Sequence, residues 1–526
     1  SFNFDDQLSG FSYANFLLGY PSFATRAIAR PSAHSRSPLY GFYVQDDFKL
    51  HPRVTLNYGI RYEYQSPWVD KFDRMFTFDP ARASLVTAGS SIPADLVPAV
   101  AATLPIISAA EAGFPVRSLM ETDANNWSPR LGLAIRPFAD TKTVVRLGWG
   151  YYTQMWPGLL ALNATGGPWQ STEVYYIEGN QPTISFPNPF SKVNEFSGVQ
   201  SVSAVSSRFP NERTQQWSLS IGRQIWGTAV DVGYVGTSAK NIPFSQDLNQ
   251  LRPSTIPYSS ERLPYQRFGS VNLTQSGASS IYHGLTVKAE RRMAAGLWFN
   301  ANYTWAKALT DADLRSYSSG AEQNQYERYL ERADDPNHRR QQLRFSYIYE
   351  LPVGKGKRFA GGLSGIANYV IGGWQLSGIT TMVTGPRLSA YFSGVDPANT
   401  NQYWGRPDRV GDGNFDSSDM RDRIKNGQPI FDINAFVAPE QGRGSFGNAA
   451  RSILTGPGTM NWNVVLAKNF PILQERARLQ FRWELFNAFN RPNFWSPDTD
   501  TSGGSFGMVY GAGMGRQMLF AARLDY

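Results

Sequence analysis

Val54-Thr-Leu-Asn-Tyr-Gly-Ile-Arg-Tyr-Glu-Tyr64 alternates along its whole length. Val54, Leu56, Tyr58, Ile60, Tyr62 and Tyr64 share one face; Thr55, Asn57, Gly59, Arg61 and Glu63 share the other. Successive side chains of a strand point to opposite faces, so a period of two describes a strand that is apolar on one side only. The same pattern returns at Leu297, Phe299, Ala301, Tyr303 and Trp305 against Asn300, Asn302 and Thr304. It recurs at Leu343, Phe345, Tyr347 and Tyr349 against Gln342, Arg344 and Ser346. A further copy sets Leu479, Phe481, Trp483 and Leu485 against Arg478, Gln480, Arg482 and Glu484.

Working outward from these segments, the pattern predicts strands near 40–49, 54–65, 128–137, 143–154, 213–225, 228–239, 280–292, 297–309, 340–351, 374–384, 461–470, 477–488 and 514–526, with one more near 21–30. Most exceed the common globular length of about 5–6 residues. They match the roughly 9–11 residues of a tilted membrane-spanning strand. The connections alternate too. Short ones fall at 51–53, 139–141, 226–227, 294–296 and 473–475, and a longer link on the same side at 352–373. Long ones fall at 66–127, 155–212, 240–279, 310–339, 385–460 and 489–513. Short turns at one end and long loops at the other are the arrangement of an outer-membrane barrel. The expected class is therefore all-β, an antiparallel transmembrane β-barrel with long extracellular loops. The final strand carries Met518, Phe520, Ala522, Leu524 and Tyr526 on one face. That ending is similar to the terminal signal by which such barrels are recognised for assembly.

Composition agrees. Aromatic residues make up 14% of the 526 residues and charged residues 17%, and there is no cysteine. Disulfides, cysteine-ligated metals and thiol nucleophiles are excluded. No run of about 18 apolar residues exists; the most apolar stretch, 96–110, contains Pro98 and Pro105. A net charge of +8 over this length is a weak nucleic-acid signal, and no nucleic-acid partner is expected. The opening Ser1-Phe-Asn-Phe4 lacks an initiator Met and a signal-peptide pattern, so a processed or partial chain is expected.

A family resemblance runs along nearly the whole chain. It is carried by Asn15-Phe-Leu-Leu-Gly19, Tyr43-Val-Gln-Asp-Asp47, the segment from Val54 to Glu63, and Ser128-Pro-Arg-Leu-Gly132. Asp335-Pro-Asn-His-Arg339, Tyr349-Glu-Leu-Pro-Val-Gly-Lys-Gly-Lys-Arg-Phe359 and Gly372-Gly-Trp-Gln-Leu-Ser-Gly-Ile379 follow. The last third adds Gly444-Ser-Phe-Gly-Asn448, Gly456-Pro-Gly458, Phe486-Asn-Ala-Phe-Asn490 and Arg516-Gln517. In their order these pieces resemble TonB-dependent outer-membrane receptors, in particular the Oar-like branch, whose members carry an N-terminal carboxypeptidase-regulatory-like domain. The resemblance implies a signal peptide, that domain, a TonB box and a plug ahead of a 22-strand barrel. Residues 1–526 would then be a single domain, the C-terminal part of the barrel, with about 13–14 of the 22 strands and no plug or regulatory-like domain. It also implies the cell outer membrane as location. The implied partners are outer-membrane lipid and lipopolysaccharide, the TonB energy-coupling complex, and an extracellular ligand of unknown class.

No enzymatic chemistry, cofactor or metal is expected. His34, His51, His283 and His338 lack metal-ligand spacing. Gly503-Gly-Ser-Phe-Gly507 has the G-x-S-x-G form, but no histidine follows Ser505 to complete the order of that hydrolase triad. Asp412-Gly-Asn-Phe-Asp-Ser-Ser-Asp419 spaces oxygen ligands as calcium loops do, yet has Ser417 at the sixth position and no glutamate at the twelfth. Trp149, Tyr151, Tyr152, Trp298, Trp305 and Trp374 suit interfacial girdles or sugar stacking. Trp156, Trp169, Tyr175, Tyr176, Tyr403 and Trp404 lie in long loops and are the ligand candidates. A charged row of Arg61, Glu63, Arg146, Lys288, Glu290, Arg344, Glu350, Arg478, Arg482 and Glu484 would line the lumen, paired internally or with a plug. Two other readings remain open: a structural or adhesive barrel without transport, and a soluble carbohydrate-binding β protein. The latter requires the apolar strand faces to pack inward.

Overall fold

The computed structural model describes residues 1–28, 32, 34–176, 184–186, 200–312, 323–472 and 477–525. Among these residues thirteen strands follow one another in a single antiparallel meander, each paired with its neighbour along it. They are β1 (Leu39–His51), β2 (Val54–Gln65), β3 (Trp127–Ile135), β4 (Thr143–Gln154), β5 (Glu212–Ile225), β6 (Thr228–Asp247) and β7 (Phe268–Ala294). Then come β8 (Leu297–Thr310), β9 (Gln341–Glu350), β10 (Trp374–Val383), β11 (Thr459–Ile472), β12 (Ala477–Phe486) and β13 (Gln517–Asp525). The sheet is open: among the described residues nothing pairs β1 with β13.

Each of these strands coincides with one expected from the alternation. The segment near 21–30 does form a strand, Phe23–Ile28, but it pairs with Phe2–Asn3 and Ser171–Tyr176 in a separate small sheet. A second difference concerns 240–279. Instead of a loop, β6 and β7 continue past the rim and stay paired to Asp247 and Asn272, across bulges beside Ile242. Bulges bend and twist a ladder without ending it. The parallel strand Gln200–Val205 joins β7 there.

The hairpin turns fix the register. Trp226 and Gly227 both have positive φ, 47° and 76°, between the paired residues Ile225 and Thr228. Ala295 and Gly296 repeat this at 51° and 78°. Two positive φ values in a two-residue loop match the twist of the flanking strands. The turn at 473–475 lies outside the described residues. The longer short-side link, 352–373, contains the helix Gly365–Ile371.

Register then decides the faces. Through Arg146↔Ser220, Gly222↔Asp231, Asp231↔Lys288, Lys288↔Asn302 and Asn302↔Arg344, one polar face crosses the sheet from β4 to β9. The opposite face carries Leu131 at 50% exposure, Ile221 at 50%, Trp305 at 51% and Phe520 at 63%. Close packing there is local: a Cβ at Gly236 would lie 2.1 Å from the Trp217 ring that covers it. The inward apolar packing demanded of a soluble β protein is not what these strands show. Among the described residues no helix is long and apolar enough to cross a membrane.

Candidate functional site

The pairing scheme brings nine of the ten residues of the expected charged row, all but Arg478, onto the polar face. In a closed wall this is the lumen, since lipid requires the apolar side. Arg61 pairs with Glu63 at 2.9 Å and Arg482 with Glu484 at 2.8 Å. Arg146 reaches Asp231 at 3.8 Å, and Glu350 reaches Lys357 at 3.7 Å. Lys288, Glu290 and Arg344 have no ion pair among the described residues. The Arg478 side chain lies outside them.

Register also sorts the aromatic residues. Trp149, Tyr151, Trp305 and Trp374 fall on the apolar face, as a girdle requires. Tyr152 and Trp298 do not: Tyr152 pairs with Thr214 and Trp298 with Ile348, both in the polar-face register. Tyr152 stacks on the Arg130 guanidinium, 4.7 Å from the ring centre. Both residues line a cleft of about 720 Å³ along the first strands, together with Asn57, Arg61 and Gln216. Gly132, Gly148 and Gly150 keep its wall low.

Above the strands the long connections form folded caps. In one, Phe76, Phe78 and Leu85 from 66–127 pack with Trp169, Val202 and Phe268. Phe78 meets the Phe268 ring edge-on at 5.3 Å. In the other, Ile430, Phe431, Phe436 and Leu454 pack with Phe506. An ion cluster ties the loops together. Glu331, 1% exposed, accepts from Arg406 Nη1 and Nη2 at 3.0 and 2.9 Å. Arg451 Nη1 donates to the Glu331 carbonyl at 3.1 Å. Gln250 adds a third loop, donating to the Gln323 carbonyl at 3.0 Å and to Gln402 at 2.9 Å. Sequence reading missed Glu331, Arg406, Arg451 and Gln250, because charged and polar residues in a long loop look like solvated surface.

The caps separate the loop aromatics. Trp156 and Trp169 are buried, and their indole N–H groups donate to the Phe209 carbonyl and to Asp95. They are core, not ligand contacts. The side chains of Tyr175 and Tyr176 lie outside the described residues. Tyr403 and Trp404 remain exposed, at 53% and 47%, beside the Gln402 junction of three loops.

The other motifs resolve into local structure. His283 Nδ1 shares a hydrogen bond with the Tyr234 hydroxyl at 2.7 Å. His51 Nδ1 accepts from the Arg53 amide in its turn. His34 meets Phe72 and His338 meets Tyr282, each edge-on. Ser505 donates to Asp498, which that bond holds below the usual carboxylate range. At 412–419, Asn414 donates to Asp412 and Ser418 to Asp416, so the oxygens serve turns. Among the described residues no three acidic or histidine groups converge.

One ion pair gives the cap a pH response. Arg443 donates to both Asp408 oxygens, and this holds the Asp408 carboxyl below its ordinary 3.8. A depressed folded value means the contribution is complete above the unfolded pKa and lost as pH falls through the folded one. Protection of the amides at 436–449, taken relative to the intrinsic exchange rate at each pH, should therefore fall below about pH 4, where an unfolded aspartate protonates. Asp408→Asn should show low protection already at neutral pH and lose that acid step; wild-type protection that is flat with pH would exclude this role.

The model of the outer membrane beta barrel domain matches residues 1–518. No curated protein matches the sequence. Among solved structures, the ferripyoverdine receptor of the outer membrane of Pseudomonas aeruginosa, bound to ferripyoverdine, is similar at 8% identity and a TM-score of 0.41, covering 93% of this chain and 38% of that one. BauA, the ferric preacinetobactin receptor from Acinetobacter baumannii, is similar at 11% identity and 0.41, covering 94% and 43%. The ferric-catecholate import receptor Fiu from E. coli K12 is similar at 11% and 0.39, covering 93% and 45%. The chain thus spans less than half the length of these proteins.

Proposed function

We propose, from the premise that this chain belongs to the outer membrane beta barrel domain family and so resides in the outer membrane, that it is the receptor part of a TonB-dependent uptake system. On this reading it is the C-terminal barrel portion of an Oar-like receptor. The parent protein supplies a plug, a carboxypeptidase-regulatory-like domain and contact with the TonB complex. The chain performs no catalysis: it captures an extracellular ligand and offers a polar passage, within a bilayer rich in lipopolysaccharide.

The supporting observation is the pairing of a polar wall with folded loop caps that leave Tyr403 and Trp404 exposed where three loops meet. Long loops held in one shape are suited to recognition rather than to simple connection. Aromatic side chains offer large contact area at small entropic cost, and truncating such anchors commonly costs above 1 kcal/mol.

The test is uptake by cells with and without the gene. Labelled ferric siderophores, cobalamin, oligosaccharides and peptides are offered in turn, with and without an uncoupler. One class should accumulate only with the gene and an intact proton-motive force. Tyr403→Ala with Trp404→Ala should lower its retention about tenfold. No gene-dependent accumulation would leave the structural or adhesive barrel as the better reading.

A further inference from the structure

We propose that a cavity on the membrane-facing side, at the loop end of β8–β11, binds an acylated amphiphile with a phosphate headgroup: a lipopolysaccharide molecule of the outer leaflet. The proposal rests on the barrel reading above and gives its lipid partner a site.

The floor is one cross-strand row. Tyr303 pairs with Leu343, Leu343 with Met382, and Met382 with Met460. All four lie in the apolar register, opposite Asn302, Arg344 and Thr381. They stand within a few residues of where β9 and β11 begin and β10 ends. In a barrel with its long loops outside, this is where lipid chains meet headgroups. The helix Met420–Lys425 of the 385–460 loop forms a second wall with Met420 and Ile424, enclosing about 450 Å³. That size suits a small-molecule pocket or a single chain.

Two guanidiniums enter this cavity, Arg421 from the helix and Arg491 from the loop after β12. The Nε of Arg421 is buried without a hydrogen-bond partner. The rest of the helix is different. Arg423 donates to the Pro429 carbonyl and lies 3.7 Å from the Phe415 ring centre, and Lys425 pairs with Asp422. Neither Arg421 nor Arg491 has an ion pair among the described residues. A buried donor left unpaired is costly, and a charged one more so. Two cations beside an apolar floor call for a ligand that brings an anion and an acyl chain together. Arginine binds phosphate oxygens bidentately, and basic pockets beside membrane-spanning segments bind lipid headgroups. A free phosphate ion would leave the floor unused.

The protein, purified from outer membranes in nonionic detergent and stripped of lipid, is titrated with bisphosphorylated lipid A, with the same lipid dephosphorylated, and with phosphatidylglycerol. Bound lipid is counted by native mass spectrometry. Lipid A should bind at least tenfold more tightly than its dephosphorylated form. Arg421→Gln with Arg491→Gln should lose that advantage, and Met382→Trp, which fills the floor, should weaken both forms. Equal binding with and without phosphate, or unchanged affinity in the double variant, would overturn the site. Phosphatidylglycerol binding as tightly as lipid A would overturn its assignment to lipopolysaccharide. Boiled and unboiled samples on a denaturing gel separate the two levels of the argument. A heat shift without phosphate preference removes the site alone; no heat shift in the wild type removes the barrel reading and the site with it.

Discussion

Glu331→Ala is expected to destabilise the loop cap by roughly 3–5 kcal/mol, the usual cost of removing one partner from a buried ion cluster. The strand meander should survive. Glu331 is 1% exposed, and the side chains of Arg406 and Arg451 are 10% and 13% exposed. Removing the carboxylate leaves two guanidiniums in a region with little water to solvate them. Among the described residues the Arg406 guanidinium then keeps its Nε bond to the Ala449 carbonyl, at 2.8 Å. The cluster joins 323–339 to 385–460, so its loss should appear as fast amide exchange and new protease cuts in both segments. The heat shift of the barrel should not change. Adding Arg406→Met to Glu331→Ala should recover part of the loss, because replacing a buried charge together with its partner is far milder than orphaning it. Equal protection in wild type and Glu331→Ala would show that apolar packing around Phe431 and Leu454 holds the cap alone.

That cluster marks the limit of what could be read in the sequence. The strands were legible because a wall between lipid and a polar interior forces a period of two, and Val54–Tyr64 shows it without interruption. Register, once fixed by the turns at 226–227 and 295–296, placed Arg61, Arg146, Lys288 and Arg344 on one face as the alternation required. The caps obey no such period. Glu331 meets Arg406 and Arg451 across 75 and 120 residues of chain, and no local pattern encodes such a contact. The extension of β6 and β7 was missed for a related reason. Val271 and Leu273 do alternate, but they face the cap core rather than lipid, and two positions are too few to establish a period. Trp156 and Trp169 looked like ligand contacts because long loops are normally exposed; here the loops are large enough to bury cores of their own.

The face assignment can be tested at two adjacent residues. Leu219 lies near the middle of β5, exposed on the apolar side and paired with Leu147 and Tyr234. Ser218 lies on the polar side, opposite Gly148 and Val235. Arginine at Leu219 must enter hydrocarbon, and on the lipid face near the bilayer midplane this costs about 2–4 kcal/mol. Arginine at Ser218 points into a water-accessible interior where Gly148 leaves space, and its expected cost is below about 1 kcal/mol, as for a solvated surface position. The two substitutions share charge, side chain and strand, so propensity and net charge cancel in the comparison. Denaturant unfolding in lipid vesicles should place Leu219→Arg well below wild type and Ser218→Arg near it. The reverse order would invert every face in the sheet, since one-residue steps carry all neighbours with them. Equal effects would mean that neither side meets lipid, which the exposed Ile221, Trp305 and Phe520 on the Leu219 side argue against.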